Sequence, residues 1–186
     1  SKHNWPIAPN ILERHFITDA PGKIWLTDIT YIWTWEGWLY LAFVLDLYFR
    51  GVVGLSMAAY VTDELTQSAL QQALLRRCPP QGLIHHSDRG KQFSSNEVRS
   101  LLKYYGIKQS MSRKGNCYDN ATVESFFHSM KTEWLYRQDS RNKERIKLEI
   151  FNYIETFYNN TRLHSSLNYF TPKEAKDMFD KSVILT

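Results

Sequence analysis

The first third of the chain alternates apolar and polar positions with a period of two, which is typical of strands that are buried on one face. Over residues 23–33 one face carries Ile24, Leu26, Asp28, Thr30 and Ile32. This segment is therefore predicted to be a strand with a single carboxylate among hydrophobic side chains. Turn signals at residues 36–37 and 50–51 predict two further strands, over 38–47 and 52–58, in an antiparallel meander.

After residue 60 the apolar spacing becomes helical and then returns once to a strand. Asp63 and Glu64 favour the start of a helix, and the apolar segment 82–86 predicts a strand that ends just before Asp88. Ser94 and Glu97 form a capping-box pattern for a second helix that stops at Gly106. A short edge strand is expected over 107–109.

The last third is predicted to be helical after a polar loop. Residues 110–118 contain Gly115 and are expected to form a mobile loop, after which Asp119 or Asn120 caps a long helix that runs to about residue 138. A further helix is predicted over 141–158, and the capping box at 171–174 opens a last short helix. The order β-β-β-α-β-α-(β)-α-α predicts a mixed α/β sheet flanked by helices.

Length and composition indicate one folded domain. The 186 residues are 43% hydrophobic and 23% charged, which excludes a disordered chain. The apolar run from Leu39 to Leu45 has seven residues, too few to cross a membrane, and no signal peptide is visible. The two cysteines indicate reduced thiols in a cytosolic protein, and the start at Ser1 suggests a fragment. We expect an arm over 1–21, a core over 22–138 and a helical extension of the same domain over 139–186.

Positive charge is concentrated in the middle of the chain. Residues 1–75 carry a net charge of −3, residues 76–114 carry +7, and residues 115–186 carry zero. A basic segment of this kind is typical of a surface that binds nucleic-acid phosphates. The alternative is a solvated basic face with no ligand.

Three acidic residues occupy positions where a carboxylate is costly. Asp28 lies in the middle of a predicted strand, Asp88 stands at the carboxyl end of another, and Glu124 lies on an amphipathic helix. Such carboxylates need a cation to offset their repulsion, and all-oxygen sites favour Mg²⁺, of which three carboxylates can hold two. The alternative is that these are three unrelated structural acids.

The sequence around these acids is specific. The blocks are WLTDITY (25–31), HSDRG (86–90), SRKGNCYDNA (112–121), and ESF (124–126) with KTE (131–133). The first two acids are separated by 59 residues, and the second and third by 35. From about residue 11 to 175, including residues 158–159, Arg162, His164 and residues 171–172, the chain resembles the catalytic domain of bacterial insertion sequence transposases of family three. That family lies within the DDE transposase and retroviral integrase superfamily.

The resemblance implies a ribonuclease H-like fold in which Asp28, Asp88 and Glu124 are the catalytic residues and bind two Mg²⁺ or Mn²⁺ ions. It also implies metal-assisted phosphoryl transfer, in which water or a DNA 3′-hydroxyl displaces a phosphodiester oxygen without a covalent protein–DNA intermediate. The implied partners are transposon-end and target DNA, with a homo-oligomer forming on DNA, and no membrane or small-molecule substrate. The implied location is the bacterial cytoplasm, in association with the nucleoid.

Five basic side chains are predicted to contact DNA. Lys131 is seven residues after Glu124 and therefore on the same helical face, and the family places a basic residue similarly. The other four are His128, Arg113, Lys114 and Arg89. A solvated helix lysine or a packed histidine is the alternative for Lys131 and His128.

Several further residues suggest chemistry but are predicted to be structural. His85 and His86 point to opposite faces of a strand, which argues against zinc, and Asp46 is expected to be a structural acid. Glu133 is out of phase with Glu124, so it is not expected to bind metal directly. Three residues, Trp33, Trp35 and Trp38, are candidates for an exposed interaction surface.

Two other functions stay open beside a competent transposase core. One is a catalytically silent domain of transposase origin that binds DNA or a partner, although the presence of all three acids argues against decay. The other is a ribonuclease H-like nuclease acting on RNA–DNA hybrids, although the 118–121 block and the acid spacing resemble transposases.

Overall fold

A five-stranded mixed sheet forms the centre of the molecule. The computed structural model describes residues 6–13, 15–113, 121–137 and 141–184. The strands are ordered β3-β2-β1-β4-β5. Their bounds are β1 Ile24–Thr34, β2 Gly37–Asp46, β3 Val52–Ala58, β4 Ile84–Ser87 and β5 Lys108–Met111.

The strand pairing has two parts. β1, β2 and β3 form the predicted antiparallel meander, with Trp33 opposite Trp38 near the first turn. β4 and β5 are added in parallel, and β5 is the predicted edge strand. Because β4 pairs with β1 only from Ile24 to Leu26, the remainder of that edge of β1 has no ladder partner among the described strands.

Helices cover both faces of this sheet. Their bounds are α1 Asp63–Arg77, α2 Asn96–Tyr104, α3 Ala121–Ser129, α4 Lys143–Asn152 and α5 Pro172–Ile184. A π-helical segment, Met130–Trp134, follows α3, and another, Tyr153–Tyr158, follows α4. None of the helices in the described ranges combines the length and apolar character needed to cross a bilayer.

The strand period of two divides the core between the two faces. Leu26 and Phe43 pack with Phe126 of α3 and Ile150 of α4 in one cluster. Trp25, the neighbour of Leu26, packs with α1 and α2 in the other. The sheet thus lies between two layers of helices, and α3 packs on one face of β1 and β2.

The helix boundaries differ from the predictions in three places. Ser95, not Ser94, caps α2, because the Ser95 hydroxyl accepts from Val98 N–H while Ser94 is buried and donates to Gly90. The long helix predicted to reach residue 138 changes its hydrogen-bond pattern after Ser129. The helix predicted over 141–158 likewise starts later and is π-helical in its second half.

The polar loop predicted over 110–118 begins too early. Ser110 and Met111 belong to β5 and are fully buried under the arm. The Ser110 hydroxyl accepts from Ile11 N–H, and Met111 N–H donates to the Pro9 carbonyl. Lys114, Gly115 and the predicted caps Asp119 and Asn120 lie outside the described residues.

Residues on both sides of the predicted 22–138 core pack into the same hydrophobic cluster as the sheet. Leu12 of the arm and Ile146, Ile150 and Ile154 from the segment after residue 138 belong to the cluster under α3. The predicted capping box of α5 is confirmed, because Thr171 N–H donates to Glu174 and Glu174 N–H donates to the Thr171 hydroxyl. The predicted boundaries at residues 21 and 138 stay predictions.

Candidate active site

Asp28 lies within β1, and Asp88 directly follows β4, the neighbouring parallel strand. The β1–β4 register pairs Leu26 with His86, so each aspartate lies two residues beyond this pair. Side chains two residues apart share a face, and neighbouring strands are about 5 Å apart. The backbones of the two aspartates therefore approach each other at the carboxyl end of β4, and both side chains are half-buried.

Helix α3 places Glu124 over the same face of the sheet. Asp28 lies directly opposite Phe43 in the β1–β2 pair. The Phe43 ring contacts the rings of Phe126 and Phe127, with centroid distances of 4.6 and 4.8 Å. Since cross-strand partners share a face, α3 lies on the face to which Asp28 belongs, and Glu124 is exposed on this helix.

The side chains of the three acids do not form a closed ligand cluster. The Asp28 Oδ1 accepts from Ile29 N–H and the Asp88 Oδ1 accepts from Gly90 N–H, both at 2.8 Å. Across the described ranges, no group of three or more His, Cys, Asp or Glu side chains is arranged to hold a metal ion. The fold thus brings the three elements together, whereas a gathered carboxylate site stays a prediction.

The donor chemistry at this edge fits Mg²⁺ or Mn²⁺ better than zinc. All three acids offer oxygen, which hard divalent cations prefer. The two neighbouring histidines are engaged elsewhere, as predicted for opposite faces of a strand. His85 Nε2 lies 2.8 Å from the Thr27 hydroxyl and His86 Nδ1 lies 2.9 Å from the Ser110 hydroxyl.

Asp46 is the structural acid that the sequence predicts. Its side chain is buried and its Oδ1 accepts from the backbone N–H groups of Tyr48 and Phe49. Its Oδ2 accepts from the indole of Trp25. These contacts hold the end of β2 in place and leave Asp46 outside the candidate site.

Lys131 lies at the open edge of β1. Its Nζ is 5.6 Å from the centroid of the Tyr31 ring, within the range of a cation–π contact. The side chain is half-buried, and this burial lowers the pKa of the Lys131 ammonium. Tyr31 is three residues beyond Asp28 on the same strand, so Lys131 lies beside the segment that carries the first acid.

The other predicted DNA contacts occupy different settings. His128 is exposed one turn after Glu124. Arg89 is half-buried, and its Nε donates to the Ser112 carbonyl at 2.8 Å, which ties the chain after β4 to the end of β5. Arg113 is exposed two residues after the end of β5. Lys114 lies outside the described residues. A DNA contact for each of these residues stays a prediction.

Sequence reasoning missed an ion pair between Glu133, in the segment that follows α3, and Arg162. Both carboxylate oxygens of Glu133 accept from Arg162, and the hydroxyl of Tyr153 donates to the same carboxylate. The guanidinium lowers the pKa of Glu133. Glu133 is therefore a structural partner, in accord with its predicted exclusion from metal binding. The presence of Arg162 in the matched sequence blocks was the available signal, but it named no partner.

The sheet order, the parallel addition of β4 and β5 to a meander, and the helices on both faces define a ribonuclease H-like integrase core fold. Solved structures agree. The catalytic core domain of HTLV-2 integrase in complex with magnesium superimposes with a TM-score of 0.60 at 21% identity, over 83% of this chain and 95% of that one. The core domain of BIV integrase gives 0.62 at 18% identity, over 88% and 99%.

Two models of the integrase core domain match the sequence, one over residues 18–117 and the other over residues 105–172. The chain belongs to the integrase core domain family. It is 45% identical over 179 residues to an uncharacterized 31 kDa protein of insertion element IS600 from Shigella sonnei. It is also 45% identical over 172 residues to the transposase InsF for insertion sequence IS3A from Escherichia coli K12.

These relatives are longer than the chain. The matches cover 96% and 92% of this chain but 66% and 60% of the two relatives. The chain thus spans about three fifths to two thirds of the length of these relatives, and the predicted resemblance to family three transposases is confirmed.

Proposed function

We propose that this chain is the catalytic core of a DNA transposase that cleaves phosphodiester bonds at transposon ends and joins those ends to target DNA. The observation that carries the proposal is the β1–β4 register, in which Leu26 pairs with His86 two residues before Asp28 and Asp88, together with the packing of α3, which bears Glu124, on the face of β1 to which Asp28 belongs. Membership of the integrase core family and 45% sequence identity to the transposase InsF support the proposal.

Asp28, Asp88 and Glu124 are the residues that would hold divalent cations. When bound, a pair of Mg²⁺ or Mn²⁺ ions activates the attacking oxygen and stabilises the leaving oxygen of a phosphodiester. Asp28 lies within β1 and Asp88 directly follows β4, so the sheet supports the backbone of both segments. Glu124 reaches the same region from α3, whose register over Phe43 is fixed by Phe126 and Phe127.

The basic side chains of this chain would orient the nucleic acid. Lys131 is held beside β1 by the Tyr31 ring, where its ammonium can neutralise a phosphate close to the scissile bond. His128, Arg89 and Arg113, together with Lys114, would extend this contact along the strand. The nucleophile is water for cleavage and a DNA 3′-hydroxyl for joining, so no serine, tyrosine or cysteine of the chain takes part covalently.

The setting of the reaction follows from the same proposal. The partners are transposon-end and target DNA, on which copies of the protein assemble as a homo-oligomer. The protein would act in the bacterial cytoplasm on nucleoid DNA.

The decisive experiment measures metal binding and DNA nicking in parallel. Crystals soaked in Mn²⁺ should show anomalous density between the three carboxylates, and Mg²⁺ or Mn²⁺ should support nicking of DNA. The substitutions Asp28→Asn, Asp88→Asn and Glu124→Gln should each abolish nicking and joining while circular dichroism and melting stay unchanged. Glu97→Gln, which neutralises an exposed glutamate on α2, is the matched control and should keep full activity.

A catalytically silent DNA-binding domain is the second candidate, and the local amide contacts of Asp28 and Asp88 are the observation that favours it. In that case the parent protein binds DNA in a salt-dependent manner but neither takes up Mn²⁺ nor nicks any DNA substrate. Retention of near-normal nicking by any one of the three acid variants would remove that residue from the assignment.

A further inference from the structure

The β1–β2 hairpin carries an exposed aromatic surface that the catalytic assignment does not use. The rings of Tyr31, Trp33 and Trp38 lie together on one face and are 60%, 52% and 44% exposed. Trp38 contacts both of the others edge to face, with centroid distances of 5.2 and 4.9 Å. We call these three residues the aromatic platform. Exposed apolar groups of this size on a folded protein mark interaction sites.

Lys131 borders the aromatic platform, and a second cation–ring pair lies beyond the hairpin turn. Lys131 Nζ lies 5.6 Å from the Tyr31 centroid. Beyond the hairpin turn, Trp35 N–H donates to the carbonyl of Arg141, whose guanidinium lies 5.9 Å from the exposed ring of Tyr136. Aromatic rings interleaved with Lys and Arg are the pattern that proteins use for single-stranded nucleic acid, in which bases stack and cations meet phosphates.

The acid nearest to the aromatic platform is already engaged. Glu36 at the hairpin turn accepts from Asn142 Nδ2 and from Lys143 N–H at the start of α4, while Lys143 Nζ donates to the Glu36 carbonyl. Its carboxylate is thus hydrogen-bonded within the protein, at the start of α4. The ligand that fits this surface is therefore planar and anionic overall.

The position of the aromatic platform relates it to the candidate active site. Tyr31 is three residues beyond Asp28, about 10 Å along an extended strand, and the period of two places the two side chains on opposite faces of the sheet, on either side of this edge of β1. Past Leu26 no described strand covers that edge of β1, and Lys131 reaches Tyr31 there from the segment after α3. A DNA strand that leaves the three carboxylates across this edge therefore meets the rings within a few nucleotides.

We propose that the aromatic platform binds unpaired bases of the DNA strand next to the scissile phosphate by stacking, with Lys131 on an adjoining phosphate. This inference rests on the proposed DNA substrate and adds that the flanking DNA is unpaired there, because bases in an intact duplex have their faces covered by their neighbours. A two-fold contact between copies fits less well, since it would set this cation-bordered surface against an identical one.

The test measures DNA binding in EDTA, so that it does not depend on metal or catalysis. The probes are a fluorescent oligothymidine strand and a duplex of the same length. The parent should bind the single strand, and the strand should quench tryptophan fluorescence. Trp33→Leu and Trp38→Leu, which keep an apolar side chain on the hairpin, should each weaken single-strand binding about tenfold and change duplex binding less than twofold.

Two further variants control for folding and for general loss of aromatic surface. Trp33→Phe retains a ring and should restore most of the single-strand affinity, whereas Tyr104→Ala removes a ring that is 83% exposed on α2 and should change nothing. Equal single-strand affinity in Trp33→Leu and the parent would overturn the proposal. So would a change in sedimentation mass with no change in DNA affinity, which would assign the surface to self-association.

The same data separate this proposal from the proposed function. If nicking requires the three acids but the leucine variants bind single strands normally, the aromatic platform is wrong and the transposase core stands. If the leucine variants lose single-strand binding although no variant nicks DNA, the aromatic platform stands and the catalytic assignment is wrong.

Discussion

The Nε and Nη2 atoms of Arg162 donate to the two carboxylate oxygens of Glu133, at 3.0 and 2.9 Å. This fork joins the chain after α4 to the π-helical segment Met130–Trp134, which continues the helix that bears Glu124. Arg162 thus acts at a distance from the carboxylates, by fixing the segment in which Lys131 lies.

Removal of either partner of this fork should destabilise the protein by a modest amount. Arg162→Ala and Glu133→Ala should each lower the free energy of unfolding, with a coupling of about 1 kcal/mol in the double-mutant cycle, because both groups are partly exposed. Urea unfolding measures the cycle. Arg162→Lys should restore little, because an ammonium does not form the two parallel bonds. Strict additivity of the two alanine variants would show that the fork contributes nothing.

Asn159 completes the hydrogen bonding of β3. Its Oδ1 accepts from Val52 N–H and its Nδ2 donates to the Val52 carbonyl, both at 2.9 Å. Asn159→Ala leaves both buried backbone groups unpaired and should cost about 2 kcal/mol of unfolding free energy. Asn152→Ala, which truncates an exposed asparagine, is the control and should change stability by less than about 0.5 kcal/mol. Equal stabilities of the two variants would refute this role.

Gly54 permits the close approach of α1 to β3. A Cβ at this position would lie 2.1 Å from the Ala69 carbonyl oxygen and 2.9 Å from Ala73 N. Gly54→Ala should therefore push α1 away from the sheet and cost about 3 kcal/mol or more. Gly51→Ala, whose Cβ would approach no atom closer than 3.2 Å, should lose much less. Thermal melting of the two variants makes the comparison, and similar melting temperatures would contradict the packing argument.

His85 should make the protein sensitive to mild acid. Burial lowers the pKa of His85 from 6.5 to about 4. Between these two pH values the His85 imidazole is protonated in the unfolded chain and neutral in the folded protein. Stability is therefore full above pH 6.5 and falls as the pH drops toward 4, by roughly 3 kcal/mol in total at 1.36 kcal/mol per unit.

The variant His85→Gln isolates this contribution. It keeps a polar group beside Thr27 and should flatten the dependence of unfolding free energy on pH between 6.5 and 4. His164, whose pKa burial also lowers to about 4, should supply the dependence that is left. A His85→Gln profile that matches the parent would assign the acid sensitivity to other groups.

The elements that the sequence predicts well are those in which local pattern and tertiary contacts agree. The alternation along β1 identifies both the buried face and the position of Asp28. The capping box predicts Thr171 and Glu174 as mutual partners, because the motif is completed within four residues. The exposure of Trp33 and Trp38 also follows from the alternation.

The elements that the sequence predicts poorly depend on distant partners. Ser94 and Ser95 are equally good caps by composition, and only the hydrogen bonds of their hydroxyls decide between them, because Val98 N–H donates to Ser95 while Ser94 donates to the Gly90 carbonyl. The π-helical segment after Ser129 keeps helical residue types, so nothing local marks the change. The orientations of the Asp28 and Asp88 carboxylates depend on competing amides and charges, which no spacing in the sequence reveals.

The shared core beneath α3 has a consequence for how this protein can be divided. Leu12 precedes the sheet and Ile146 and Ile150 follow residue 138, yet all three fill the space under the helix that carries Glu124. A chimera that ended at residue 138 would lack the side chains that fill the core beneath that helix. We expect such a chimera to aggregate and to be inactive. A donor module for grafting onto another DNA-binding protein must therefore carry both flanks, with junctions outside residues 6–184.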